Sequence, residues 1–218
     1  YMTALGLYEA SINGEKIGDH EFSPGWTSYN NRLKYQTYDL TAQLDEGSNV
    51  FSVMLADGWY RGRMGYNGGR RNIYGDRLAV LAQIYIEYDD NSFEIITSDD
   101  TWKALKGPIL SSGIYDGEVF DSRIEPEGWR KSGFDDSEWN AVKILEQSLD
   151  VLVAPEGPPV RRVDLIKPNK IFKSKSGKTI VDFGRNIVGR IQLTVEGSRG
   201  DCITLRHAEV LEGGELCT

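Results

Sequence analysis

The sequence predicts an all-β fold: a jelly-roll β-sandwich followed by the start of a second β-sandwich. Three observations lead there. Apolar and polar residues alternate through much of the chain, while helical periodicity is scarce. The 24 glycines among 218 residues are about one in nine, against a typical ~7%, and many turns imply many strands. Turn signals also recur between short strand-like runs, as they do in sandwiches.

In order, Thr3 to Ile12 reads as a strand, and Asn13-Gly14 after it is the strongest short hairpin signal. Lys16 to Phe22 returns. Arg32 to Leu40 alternates as a half-buried strand does. Asn49 to Ala56 follows the turn Asp45-Glu46-Gly47. Leu78 to Tyr88 is a long apolar strand, turned by Asp89-Asp90-Asn91 into Phe93 to Thr97; Trp102 to Leu105 and Ile109 to Phe120 continue the pattern. Between them, 58–77 (GWYRGRMGYNGGRRNIYGDR) has no clear period, and its aromatic content predicts an ordered surface loop. Three of the seven prolines fall within 153–159, which reads as a linker. The domains expected are therefore 1–152, and 160–218 as a truncated second sandwich. Strands are expected there at 160–165, 171–173, 178–183, 187–196 and 202–207.

Charge and composition exclude several classes. The 25 Lys+Arg against 33 Asp+Glu give a net charge of -8, the wrong sign for a protein that tracks phosphates, so no nucleic-acid partner is expected. No apolar run approaches the ~18 residues of a membrane span, so no membrane partner is expected either. No signal peptide opens the chain, although Tyr1 enters apolar sequence as if inside a strand. Cys202 and Cys217 cannot build a disulfide framework or a four-ligand zinc site. Nothing calls for an oxidising compartment, so a cytoplasmic location is the expectation.

The residues that usually carry chemistry read mostly as structure. Asp89-Asp90, Asp99-Asp100 and Asp135-Asp136 lie beside turn residues, where Asx side chains bond the local backbone. His20 and His207 stand on opposite sides of the linker and suit strand ends better than a triad. Cys202, in an alternating run, suits a core. The glycines at 65, 68 and 69 open no helix, so a dinucleotide loop is excluded. What remains is aromatic and polar clusters at 26–31, 59–76 and 115–118. Such clusters suit sugars, whose C–H faces stack on rings and whose hydroxyls take forked hydrogen bonds. They equally suit a loop packed on a neighbouring domain, its arginines paired with carboxylates.

The run LGLYEASINGEKIGDHEFSPGWTSYNNRLKYQTYDL (5–40) resembles the galactose-binding-like sandwich that precedes the barrel in bacterial α-L-rhamnosidases of glycoside hydrolase family 78. The likeness continues through GSNVFSVMLADGWYRGRMGY (47–66), RNIYGDRLAVLAQIYIEY (71–88), TWKALKGPILSSGIYDGEVFDSR (101–123) and GWRKSGFDDSEW (128–139). IVDFGRNIVGRIQLTV (180–195) and LRHAEVL (205–211) resemble the start of the next sandwich. Arg185, Arg190 and Cys217 depart from the family's usual residues and bear only on that second part.

The resemblance implies a catalytic (α/α)6 barrel elsewhere in a parent chain, working by inverting hydrolysis with paired carboxyl groups. It therefore implies no catalytic residue here. It leaves two roles open: scaffolding that barrel, or binding L-rhamnose-containing glycans with calcium bridging the sugar hydroxyls. For the second, Trp59, Tyr66 and Tyr74 offer stacking faces, and Arg61, Arg63 and Arg71 offer forked donors. Asn67 lies in the same loop, and Asp116 and Glu118 are acceptors for the arginines. Asn30, Asn31, Asn72 and Asp76 offer the hard oxygens that calcium takes.

Overall fold

A computed structural model of the chain describes residues 1–217. Its strands, in order, are β1 (Met2–Leu5), β2 (Leu7–Ile12), β3 (Glu15–Lys16), β4 (Leu33–Lys34), β5 (Phe51–Ala56), β6 (Ala79–Glu87), β7 (Phe93–Thr97) and β8 (Lys103–Ala104). There follow β9 (Ile109–Gly113), β10 (Gly117–Phe120), β11 (Asn140–Ala141), β12 (Leu152–Val153), β13 (Lys170–Lys173), β14 (Thr179–Asp182), β15 (Leu211–Glu212) and β16 (Glu215–Leu216). One turn of helix, α1, spans Gly58–Arg61. The protein is nearly all β, as the alternation predicts. No helix among the described residues is long and apolar enough to cross a membrane.

The chain divides into two compact units, Tyr1–Arg162 and a second from Val163 onward. The first is built on two three-stranded sheets, β1-β6-β7 and β3-β2-β5. Its core lies between them: Met2, Ala4 and Ala82 from one sheet meet Tyr8, Ala10 and Ile12 from the other. The single strand expected over 3–12 is in fact β1 and β2, which belong to different sheets. Gly6 makes the switch at φ 128°, where a Cβ would meet Ala56 O at 2.6 Å and Leu78 Cδ2 at 2.8 Å. No residue with a side chain fits that corner. β1 is thereby buried on both faces. Its far face carries Leu5, which packs with Tyr29, Leu33 and Tyr60 in a second apolar cluster beneath the 58–77 loop.

The Asn13-Gly14 hairpin forms as expected, pairing Ile12 with Glu15. The return strand is shorter than expected, because after Ile17 N–H bonds Ala10 O the chain leaves the sheet. The expected strand 32–40 contracts to β4, which pairs in parallel with β12. The sequence does not reveal this partner, which lies more than a hundred residues away. Downstream of β12 the chain stays laced to the first unit. Tyr35 N–H donates to Val153 O at 3.1 Å and Glu21 N–H to Val160 O at 2.8 Å. Arg32 pairs with Glu156, and Arg161 with Asp19 at 2.8 Å.

In the second unit β13 and β14 pair where strands are expected, from Lys170↔Asp182 to Lys173↔Thr179. The expected strands at 160–165, 187–196 and 202–207 are absent from the described structure. Alternation alone does not make a strand: each needs a hydrogen-bonded neighbour, and none of these runs has one along its length. Cys202 is accordingly exposed and not in a core. A hairpin not expected from the sequence, β15–β16, turns at Gly213-Gly214, both at positive φ.

Candidate functional site

β5 ends at Ala56, and the chain turns through Asp57 into α1. Gly58 sits at φ 52°, and a Cβ there would collide with the Leu7 side chain. The glycine therefore lets the helical turn lie directly on β2. This fixes Trp59, Tyr60 and Arg61 at the edge of the sandwich. The helical turn has no periodic signal at four residues and cannot be read from the sequence.

The loop at 26–31 and the loop at 58–77 meet. Trp26 stacks on Trp59 with ring centroids 6.0 Å apart and planes 4° from parallel. Trp26 Nε1 donates to the Tyr74 hydroxyl at 3.0 Å. Tyr29, 1% exposed, lies against Tyr60 and Tyr74 with centroids at 5.3 and 5.0 Å. Its hydroxyl donates to Gly25 O at 2.9 Å, and burial pushes its pKa well up. Trp59 and Tyr74 thus serve chiefly as packing residues over Leu5 and Leu33. Trp26 is the half-open ring of the group, at 53% exposed.

The arginines are tied to two acids. Asp57, 6% exposed, accepts from Arg61 at 2.6 Å and from Arg71 at 2.6 Å, one on each carboxylate oxygen. Asp116, at the tip of the β9–β10 hairpin, accepts from Arg63 Nε at 2.6 Å and from Arg71 Nη1 at 3.4 Å. Arg63 also lies 5.7 Å over the Tyr115 ring. Asp57 is the functional residue that sequence reading misses. The signal for it is weak: an acid at a strand end before Gly58, in a chain rich in turn-forming Asp. Glu118 is exposed on β10 and makes no ion pair with these arginines.

The other expected residues scatter. Tyr66 is 89% exposed at the loop tip, and Asn67 beside it is exposed at φ 52°. Asn31 Nδ2 donates to Ser28 Oγ at 3.0 Å within its own turn, and Asn30 is exposed. Asn72 stands at φ 59°, its N–H bonded to Arg61 O at 3.1 Å. Asp76 lies near enough to Tyr60 to help raise its pKa, after burial, the larger cause. Asp76 is the one carboxylate of that set. No group of three or more His, Cys, Asp or Glu among the described residues is placed to hold a metal ion.

The paired acids are turn formers. Asp90 accepts from the amide and hydroxyl of Ser92 at 2.8 and 2.5 Å, and Asp99 does the same for Thr101 at 2.9 and 2.5 Å. These bonds hold both carboxyls below the usual range. Asp135 accepts from Ser137 N–H, while Asp136 pairs with Lys103. His20 leans on Tyr38 with centroids at 5.2 Å, and its Nε2 is 3.9 Å from Asp19.

Residues 1–164 match the model of the α-L-rhamnosidase N-terminal domain, and 172–218 that of the bacterial α-L-rhamnosidase concanavalin-like domain. An α-L-rhamnosidase of Streptomyces avermitilis is 43% identical over 212 residues, covering 97% of this chain and 20% of that protein. One from Formosa agariphila is 33% identical over 214 residues, covering 97% of this chain and 22% of that protein. The chain thus spans about a fifth of the length of the curated relatives it matches. Among solved structures, a native α-L-rhamnosidase from Aspergillus terreus superposes with a TM-score of 0.94 at 47% identity, over 99% of this chain and 25% of that one. The S. avermitilis enzyme complexed with L-rhamnose gives 0.91 at 42% identity, over 99% and 21%.

Proposed function

Because the chain belongs to the bacterial α-L-rhamnosidase family, matching its N-terminal domain over 1–164, we propose that it acts as the non-catalytic sandwich region of an enzyme removing terminal L-rhamnose. Its part is to scaffold an (α/α)6 barrel of the same parent chain. One observation carries this reading. The forked donors that would bind a sugar are already committed to Asp57 and Asp116, so the loop is pre-set as a rigid surface. Inverting hydrolysis needs an acid and a base about 6.5–9.5 Å apart across the sugar. The buried acid of the loop, Asp57, and its neighbour Asp116 are held by arginines, and Asp90, Asp99 and Asp135 by their own turns, which supports placing the chemistry elsewhere in the parent.

The test is direct. Purified chain given an aryl α-L-rhamnoside should release no more aglycone than a heat-denatured control. Turnover above that control overturns the reading.

A second reading is calcium-assisted binding of L-rhamnose. The open rings of Trp26 and Tyr66, 53% and 89% exposed, favour it, since they leave faces on which a sugar could stack. Calorimetric titration with L-rhamnose, with calcium and again with chelator, separates the two. Calcium-dependent heat supports binding, and no heat in either condition supports the scaffold.

A further inference from the structure

We propose that Asn67 is a site of spontaneous deamidation, and that Asn13 is protected from it by its surroundings. These two residues carry the chain's Asn-Gly pairs, Asn13-Gly14 and Asn67-Gly68. The backbone is nearly the same at both. Asn13 and Gly14 have φ 52° and 89°; Asn67 and Gly68 have φ 52° and 85°. Each pair sits at the centre of a tight turn, closed by Ile12↔Glu15 in one and by Gly69 N–H on Tyr66 O at 3.0 Å in the other. Local conformation therefore does not distinguish them.

Their side chains do. Asn13 Oδ1 accepts from Val50 N–H at 2.9 Å. Its Nδ2 donates to Asn49 Oδ1 at 2.8 Å, to Asp45 Oδ2 at 3.2 Å and to Gln43 O at 3.4 Å. Asn67 is exposed, and its amide makes no hydrogen bond among the described residues. The space where a Cβ of residue 68 would point is open to 4 Å, so that side of the turn is not packed against the rest of the chain.

The reaction needs only water and a base. The Gly68 amide nitrogen gives its proton to hydroxide or buffer and attacks Asn67 Cγ. The N–Cγ bond forms, the Cγ–Nδ2 bond breaks, and ammonia leaves after taking a proton from water. Water then opens the succinimide at either carbonyl, giving aspartate or isoaspartate. No electrons change hands. At Asn13 the same attack requires the amide to leave its four partners first.

The consequence falls on the candidate site. A carboxylate would enter the loop that carries Arg63, Arg70 and Arg71. The isoaspartate form would also lengthen the backbone inside the Met64–Arg70 bridge, whose two bonds are 2.9 and 2.8 Å.

The test is peptide mapping of the folded chain after incubation in mildly alkaline buffer, with a denatured sample in parallel. In the folded chain Asn67 should convert at least about tenfold faster than Asn13, since releasing Asn13 loses more than one hydrogen bond. In denaturant the two rates should converge. Asn67→Gln should remove the new acidic species on ion exchange, with at most a small fall in melting temperature because Gln suits φ 52° less well than Asn. Equal conversion of Asn13 and Asn67 in the folded chain overturns the proposal, as does an Asn67 rate no faster than that of exposed Asn91.

Discussion

Arg71 Nη2 lies 2.6 Å from Asp57 Oδ2, tying the middle of a twenty-residue loop to the end of β5. The acid is buried and the arginine half-exposed, with Arg61 on the other carboxylate oxygen. Arg71 also reaches Asp116, which Arg63 holds in turn. The ion-pair chain thus links β5, the loop and the β9–β10 hairpin. A loop with a single helical turn and one isolated bridge keeps its shape because its charges converge on acids at the end of β5 and in the β9–β10 turn.

Asp57→Asn keeps the shape and removes the charge. Stripping one partner from a buried pair costs about 3–5 kcal/mol. Both arginines retain solvent here, so the expected loss is about 2 kcal/mol. Urea unfolding should show a lower midpoint with an unchanged slope. Arg63→Ala, whose acid is more exposed, should cost under about 1 kcal/mol. Equal costs for the two variants would mean that burial of Asp57 does not set the strength of the network.

Gly75 is the loop's steric pin. A Cβ there would collide with the Tyr60 hydroxyl. Gly75→Ala should therefore destabilise by about 1–3 kcal/mol through overpacking. Tyr60→Phe in the same chain should recover part of that loss, because it removes the atom nearest the collision. A double-mutant cycle showing plain additivity would refute the contact.

Much of this was legible in the sequence, and what was not shares a cause. Alternation located β5, β6, β7, β13 and β14, because each has a strand beside it and all but β7, which is exposed along its length, have partly buried residues. Asn13-Gly14 announced its turn through residues that accept positive φ. The β1–β2 switch was hidden because Gly6 is a corner only by virtue of Ala56 and Leu78, which are remote in sequence. At the site, residue types were legible but pairings were not. Arg61, Arg63 and Arg71 look like free donors until Asp57 and Asp116 are seen to hold them. Trp59 and Tyr74 look like stacking faces until Tyr29 and Leu5 are found beneath them.

Alkaline pH should unfold the first unit through Tyr8 and Tyr29. Burial pushes both phenols well above their usual range, and at Tyr8 the neighbouring Tyr38 adds to the shift. The native state therefore holds these protons more tightly than the unfolded chain, whose tyrosines ionise near pH 10. The stability they contribute is present below about pH 10 and falls as pH rises beyond it. Absorbance should show two late tyrosines ionising together with unfolding. Tyr8→Phe should weaken the alkaline slope, even though it gives up the 2.8 Å bond to Gln36 Oε1. An unchanged slope would place the sensitivity elsewhere.

Trp26 and Trp59 form one stack but should respond differently to truncation. Trp59 packs on the cluster of Leu5, Tyr29, Leu33 and Tyr60, so Trp59→Ala should cost about 3–5 kcal/mol. Trp26 is half-open and contributes mainly the stack and its bond to Tyr74. Trp26→Ala should therefore cost about 1–2 kcal/mol and shift the emission of Trp59 to the red by exposing its outer face. The difference decides how a sugar response would be read. If L-rhamnose changes the fluorescence of the parent chain, Trp26→Ala can test the stacking face without collapsing the loop, whereas Trp59→Ala cannot. A Trp26→Ala chain that melts as low as Trp59→Ala would show that the outer ring also belongs to the core, leaving Tyr66 as the open face of the loop.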